Sequence, residues 1–266
     1  MTVKLGIIGG GVMGEALLSR LVLEKVYASH EVLVSEPQAQ RRDYLTRHYK
    51  IQVTEDNRAV AAVAEVLLLA VKPQVLDAVV PSLCDSSPEQ LIISILAGTP
   101  LSKLETAFPK QPVIRAMPNT PATVGAGITA IAPGHHATPA HIQVAQQLFQ
   151  TVGQVVDVPE SLMDAVTGLS GSGPAYVAVL IEALADGGVA VGLPRAIASQ
   201  LALQTVRGTA ELLHSTGMHP AELKDRVTSP GGTTIAGIAQ LEQAAFRSAL
   251  MEAVKAAYHR SQELGQ

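Results

Sequence analysis

Between Val3 and Val158, apolar residues fall into short runs of strand character separated by stretches at helical spacing. Lys4 to Ile8 is the first run, and Ala16, Leu17, Leu18, Leu21 and Val22 follow it at the spacing of one helix face. Glu31 to Val34, Ala64 to Val71, Leu91 to Leu96 and Pro112 to Met117 are further predicted strands, with Gly127 to Ala132 and Gly153 to Val158 after them. Ala64 to Val71 is continuously apolar, as expected for a strand covered on both faces. Strands alternating with helices predict an open, mostly parallel α/β sheet. Several runs stop at Gly or Pro: Gly9 to Gly14, Lys72-Pro73, Ala97-Gly98 and Met117 to Pro121. Loops at the carboxyl ends of such strands form the ligand crevice of this kind of sheet.

After Pro159 the strand signals vanish and apolar residues recur at helical spacing to the end. Pro174, Pro194 and Pro220 each suit a first helical turn, and the last helix carries Phe246, Leu250, Val254 and Ala257 on one face. With no flexible linker and no repeat, two closely packed domains are predicted, residues 1–159 and 160–266. A length of 266 residues suits that number.

Composition narrows the function classes. Apolar residues make up 47% and charged residues 16%, which excludes a disordered chain. Aromatics are 3% with no Trp, so the core is built from Ala, Val, Leu and Ile. Small side chains let helices approach closely and point to an interdigitated oligomer. The net charge is −4 and the 19 basic residues are dispersed, unlike the basic stripe of a nucleic-acid binder. The densest basic spot, Arg41-Arg42, reads as a solvated helix start. Cys84 is the only cysteine, which rules out an intrachain disulfide and reads as a partly buried structural thiol. His135-His136 with His141, and His214 with His219, lack zinc-site spacing, so no metal is expected. The first predicted strand leaves no room for a signal peptide, and the unbroken apolar runs fall far short of the ~20 residues a bilayer requires. A soluble, cytoplasmic protein is expected.

Three motifs carry candidate chemistry. Gly9-x-Gly11-x-x-Gly14 follows a strand and opens a helix, the context in which such glycines make a Rossmann-type dinucleotide turn. They form the turn, admit the pyrophosphate and allow close helix–strand packing. Glu36 ends the second predicted strand, where an acidic side chain hydrogen-bonds a ribose 2′-hydroxyl and repels a 2′-phosphate, favouring NADH; Ser35, Arg41 and Arg42 stand ready for the phosphate instead. The second motif, Gly168-Leu169-Ser170-Gly171-Ser172-Gly173-Pro174-Ala175-Tyr176, opens the helical half. Its glycine spacing resembles the substrate-side motif of β-hydroxyacid dehydrogenases, but their catalytic Lys position is Val177, and alcohol oxidation needs a base there. The third is Val227-Thr228-Ser229-Pro230-Gly231-Gly232-Thr233-Thr234, followed by a predicted helix from Ile235 to Leu241. Glycines beside a helix N-terminus expose free N–H groups to an anion, with two hydroxyls next to them.

Together, Gly9–Gly14, Ala70-Val71-Lys72-Pro73-Gln74, Met117-Pro118-Asn119-Thr120-Pro121, Leu169–Tyr176 and Val227–Thr234 running on as Ile235-Ala236-Gly237-Ile238 resemble one family, pyrroline-5-carboxylate reductase, over essentially the whole chain. The resemblance implies an N-terminal Rossmann-type domain and an all-α C-terminal dimerisation domain of the 6-phosphogluconate-dehydrogenase-like kind. It implies hydride transfer from NADPH or NADH to 1-pyrroline-5-carboxylate, giving L-proline. Gly231, Gly232, Thr233 and Thr234 would hold the carboxylate and ring nitrogen, with Thr234 bonding the nitrogen, Ser229 close by and Glu160 on the substrate side. On the cofactor side it implies Ile8, Gly9, Gly10, Gly11, Val12 and Met13, then Ser35 and Asn57. Ala70, Val71, Lys72, Pro73, Ile95, Leu96 and Ala97 complete that set. Glu36 departs from members that favour NADPH, and Arg226 replaces an Asn that touches cofactor in some relatives. Dimers, often assembled into decamers, are implied as well. Two other readings compete: a β-hydroxyacid dehydrogenase, opposed by Val177, and a non-catalytic nucleotide sensor, opposed by the intact Val227–Thr234 loop.

Overall fold

A computed structural model describes residues 3–83 and 87–265; the reading of Cys84 as a structural thiol lies outside the described residues. The chain divides into two compact units, Met1–Ser172 with Ala256–Gln266, and Gly173–Lys255.

In the first unit the order is β1 (Val3–Ile8), α1 (Val12–Leu23), β2 (Val32–Ser35), α2 (Ala39–Tyr49), β3 (Gln52–Thr54), α3 (Asn57–Ala61) and β4 (Ala64–Leu69). Then come α4 (Leu76–Val79), β5 (Leu91–Ser94), α5 (Leu101–Ala107), β6 (Val113–Met117), β7 (Gly127–Pro133), α6 (Pro139–Gln150), β8 (Gly153–Asp157) and α7 (Met163–Val166). The eight strands form one sheet in the order β3-β2-β1-β4-β5-β6-β7-β8. All pairs are parallel except β6 with β7. The strand order reverses between β1 and β4, the switch point at which ligands bind in doubly wound sheets.

Register brings four strand ends into line. Ile8 lies opposite Ser35 on one side and Leu69 on the other, and Leu69 lies opposite Ser94. Side chains alternate between two cores. Leu5, Ile7, Leu68 and Ile93 pack with Leu17, Leu21, Leu45 and Phe149 of α1, α2 and α6. Ile8, Leu67, Leu69 and Ile92 pack on the other face with Val60, Leu76, Leu104 and Met163 of α3, α4, α5 and α7. Burial on both faces explains why these strands read as unbroken apolar runs.

Each predicted strand is present, with shifted ends. β4 stops at Leu69, because the Ala70 N–H turns back to the Ile8 carbonyl (2.9 Å) and Pro73–Val75 forms a short 3-10 turn. Glu31 belongs to a 3-10 turn, Ser29–Glu31, rather than to β2. β3 escaped the pattern, since three residues on a sheet edge show no period. β7 is antiparallel to β6 because a tight connection through Thr120–Val124 joins them, whereas a parallel partner needs a long crossover.

The second unit holds α8 (Gly173–Ala190), α9 (Arg195–Thr216), α10 (Pro220–Arg226), α11 (Thr233–Gln243) and the start of α12 (Phe246–Leu264). Pro220 opens α10, and Pro194 immediately precedes α9. Pro174 is the second residue of α8, in the first helical turn as expected, and α8 continues a helical run that begins at Glu160. A π turn at Thr167–Gly171 already departs from the i→i−4 ladder just before this proline, which has no N–H to donate. This run is long and apolar enough to cross a membrane by length and composition, with mean hydropathy 1.3.

The helices of this unit bury little. α8 buries only Ala185, α9 only Ala198 and Ala202, and α10 and α11 nothing. Val179, Leu201 and Leu203 are more than half exposed.

Leu67 is fully buried on a central strand, so Leu67→Ala should lower unfolding stability by about 2–5 kcal/mol. Val12 is 73% exposed, and Val12→Ala should change it by less than about 0.5 kcal/mol. Urea unfolding followed by circular dichroism measures both.

Candidate active site

The fingerprint loop leaves β1 at Ile8 and enters α1 at Val12. Gly9 has φ +102°, a left-handed backbone that L side chains rarely adopt, and a Cβ there would press on the Ala70 carbonyl. A Cβ on Gly14 would collide with the Gly9 carbonyl oxygen, so α1 reaches the loop only without one. At Gly11 a Cβ would meet nothing within 4 Å. That opening lies at the N-terminus of α1, where Gly11 caps without a side-chain hydrogen bond. Free first-turn N–H groups beside an open glycine fit a dinucleotide pyrophosphate.

Side chains around this loop are tied to one another. The Glu36 carboxylate accepts from Gly10 N–H (3.1 Å) and from Gln38 N–H (2.9 Å), and it is buried. Arg41 Nε–H donates to the Gly10 carbonyl (2.7 Å), and its Nη2 pairs with Glu15. Arg42 donates to the carbonyls of Glu36 (3.0 Å) and Pro37 (2.7 Å). Arg41 and Arg42 are therefore braces of the loop rather than a solvated helix start. Ser35 Oγ–H donates to Asn57 Oδ1 (2.6 Å), joining the ends of β2 and α3. Tyr44 and Tyr49 hydroxyls donate to Glu15 at 2.9 and 2.7 Å. Burial raises the Glu15 carboxyl, but hydrogen bonds from Tyr49, Arg41 and Tyr44 outweigh it and hold the group below the usual carboxylate range. Burial, then Glu15, pushes the Tyr49 hydroxyl well above the usual phenol range.

Ala70, Val71, Lys72 and Pro73 follow β4, and Ile95, Leu96 and Ala97 follow β5, so both expected cofactor segments leave the same aligned strand ends as Ile8. Ile95 N–H bonds the Leu69 carbonyl at 3.1 Å.

In the second unit, the loop from Val227 to Gly232 enters α11 at Thr233. Gly231 has φ +65°, and Gly232 is the N-cap with no side-chain hydrogen bond. A Cβ on Gly232 would collide with Ser229 Oγ, so this glycine lets the Ser229 hydroxyl lie against the start of the helix. The Gly232 N–H bonds the Ser229 carbonyl (3.0 Å), and Thr228 Oγ–H ties the loop to Lys224 (2.6 Å). The first-turn N–H groups, with Thr233 and Thr234, suit a carboxylate. Arg226 pairs with Glu222 one turn back on α10 (2.8 Å).

Glu160 has another neighbourhood. Its Oε1 accepts from Leu101 N–H and lies 3.3 Å from Arg115 Nη1. Arg115, 5% exposed on β6, also faces Asp164 (3.6 Å), which accepts from Ser261 Oγ–H (2.7 Å). The sequence reading missed Arg115. Its signal was present: a guanidinium inside the apolar run Val113–Met117 requires carboxylate partners. The histidines have local roles: His135 meets Glu105, His141 Nδ1 accepts from Thr138 N–H, and His219 Nδ1 accepts from Ala221 N–H.

A Rossmann-type sheet with an open glycine turn at its switch point, in a chain with a separate helical unit, defines a nicotinamide-dependent oxidoreductase. Residues 160–264 match the family model described as pyrroline-5-carboxylate reductase dimerisation, and residues 4–98 match that of NADP oxidoreductase coenzyme F420-dependent. A pyrroline-5-carboxylate reductase of Synechocystis sp. is 63% identical over 100% of this chain and 99% of its own. One from Methanosarcina acetivorans is 47% identical over 98% of each chain. Among solved structures, the Plasmodium falciparum pyrroline carboxylate reductase with NADP bound has a TM-score of 0.91 at 30% identity, covering 99% of this chain and 98% of that one. The Coxiella burnetii pyrroline-5-carboxylate reductase has a TM-score of 0.91 at 32% identity over all of both chains. The chain belongs to the pyrroline-5-carboxylate reductase family.

Two glycines separate folding from ligand approach. Gly14→Ala should lower the melting temperature by several degrees and weaken dinucleotide binding. Gly11→Ala should leave the melting temperature within about 2 °C yet weaken binding, because its Cβ would meet only open space at the start of α1, where a pyrophosphate fits. Thermal melts beside NADPH titrations measure both.

Proposed function

We propose that this chain reduces 1-pyrroline-5-carboxylate to L-proline with hydride from NADPH, and with NADH as a second donor. The observation that carries the reading is the pairing of an open fingerprint turn at Gly11 with a glycine-capped helix start at Gly232–Thr234 in a chain 63% identical to a reductase of this name. The reduced nicotinamide supplies the hydride. The proposed cofactor residues are Ile8 to Met13, Ser35, Asn57, Ala70 to Pro73 and Ile95 to Ala97, with Glu36 behind the turn that Gly9 to Gly11 make. NADPH as donor is supported by the relative with NADP bound.

On the substrate side, N–H groups at the start of α11 orient the carboxylate, and the Thr234 hydroxyl accepts from the protonated ring nitrogen. A protonated cyclic imine takes hydride without a strong protein acid, so position and electrostatics are the main demands. That fits Val177 standing where a hydroxyacid dehydrogenase has its Lys. Glu160 is assigned to the substrate side by resemblance alone, since one of its oxygens already serves Leu101 and Arg115.

We place the functional boundary at 159/160, where the dimerisation match begins. In this reading a second copy covers the exposed apolar helices of the second unit, and homodimers assemble further, a decamer being the family form. The partner rather than lipid then covers the run Glu160–Ala190, and the protein works in the cytoplasm. Neither metal nor nucleic acid enters the proposed reaction.

Purified protein mixed with pyrroline-5-carboxylate should oxidise NADPH and form proline, with NADH run in parallel. A folded, dinucleotide-binding protein that oxidises neither would remove the reductase assignment. Thr234→Ala should lower kcat by at least about tenfold with an unchanged melting curve, and unchanged kinetics would take Thr234 out of the mechanism. Sedimentation should give a dimer or larger, and Leu201→Glu should shift it toward monomer, because Leu201 is an exposed apolar position of α9.

A further inference from the structure

Gly10 is held at both ends of its own residue. Its N–H is bound by one charged side chain, Glu36 Oε2 at 3.1 Å, and its carbonyl by another, Arg41 Nε–H at 2.7 Å. The second Glu36 oxygen is occupied too, by Gln38 N–H at 2.9 Å, which fixes the turn that leaves β2. Arg41 is fixed in turn by Glu15, itself held by Tyr44 and Tyr49. The carboxylate is buried, with 7% of the residue exposed. A ribose-reading carboxylate presents oxygens to the ligand; this one presents them to two backbone donors from different segments.

We propose that Glu36 is a positioning residue of the fingerprint turn and not a reader of the ribose 2′ position. With Arg41 it sets the direction of the peptides on either side of Gly10, and thereby the first-turn N–H groups of α1 that face the pyrophosphate. The inference rests on the reading that this turn binds NAD(P)H. Its consequence is distinctive. A discriminating Glu36 repels NADPH alone, so its removal changes the ratio of the two affinities. A positioning Glu36 serves a pyrophosphate that both cofactors share, so its loss weakens both together.

Glu36→Gln is the informative change. A carboxylate only accepts and matches two N–H groups, whereas a carboxamide turns an NH2 toward one of them. Dissociation constants for NADPH and NADH are read from the fluorescence of the bound reduced nicotinamide, in a chain with no Trp. Both should rise about tenfold in Glu36→Gln, corresponding to about 1.4 kcal/mol, with their ratio within about threefold of the wild type. Glu36→Asp, which keeps two acceptors, should recover part of the loss for both. Arg41→Lys, which lacks the Nε–H that grips Gly10, should show the same parallel loss and gives the test a second variant if Glu36→Gln fails to fold. A ratio moved more than tenfold toward NADPH, or affinities unchanged in both Glu36→Gln and Arg41→Lys, would overturn the positioning role. Wild-type protein that binds neither dinucleotide would overturn the reductase reading itself.

Discussion

The constraint on which the open glycine turn and its neighbouring loops depend is the flush parallel pairing of β1 with β4. Ile8 opposite Leu69 puts the loops after both strands side by side, close enough that Gly9 has no room for a side chain beside the Ala70 carbonyl. Because Ser35 and Ser94 align with the same rung, the loops of four strands open at one level. Gly14 lets α1 begin directly over that level. Two apolar cores, one on each face, then hold the sheet rigid beneath the turn. A Cβ on Gly9 or Gly14 would displace backbone rather than a side chain, which is why glycine is required at those two positions.

The helical unit obeys the opposite logic. Its internal cluster consists of Ala185, Ala198 and Ala202 with Ile181 and Val189 against them, too little for five helices to stand on. At ~25 cal/mol per Å2 of apolar surface, such a core offsets little of the entropy of ordering those helices. Apolar residues such as Val179, Leu201 and Leu203 face outward instead. A family model named for dimerisation covers this region, which supports the proposal that another copy covers these faces. In that proposal, the apolar composition that makes Glu160–Ala190 resemble a membrane span is the composition of an interface helix.

What the sequence disclosed follows from what each element needs. Seven strands were legible because burial on both faces, or beside one core, leaves an apolar run. β3 was not, since three edge residues carry no periodic signal, and the reversal of β7 depends on a short connection that hydrophobic pattern does not encode. The fingerprint was legible because Gly9 and Gly14 are sterically obligatory. The partners of Glu36 were not, because a carboxylate at a strand end can face ligand or backbone, and only the path of the 36–42 segment decides between them. Arg115 is the intermediate case. A charge within a buried strand announced a need for partners, while their identity, Glu160 and Asp164, depended on α7 folding back to the sheet.

These differences follow from the chemistry. The proposed reduction needs no strong protein acid, so it would rely on backbone N–H groups held in fixed directions, at Gly11–Gly14 for the dinucleotide and at Gly232–Thr234 for the imine. Backbone donors have no side-chain identity, so they appear in the sequence only through the glycines and prolines that expose them. The conspicuous charged residues, Glu15, Glu36, Arg41, Arg42 and Arg115, are thereby free to act as struts, and each is found bound to another part of the same unit. In this chain the groups that look most catalytic by charge brace the structure, and the groups proposed to meet ligand are among the plainest in the sequence.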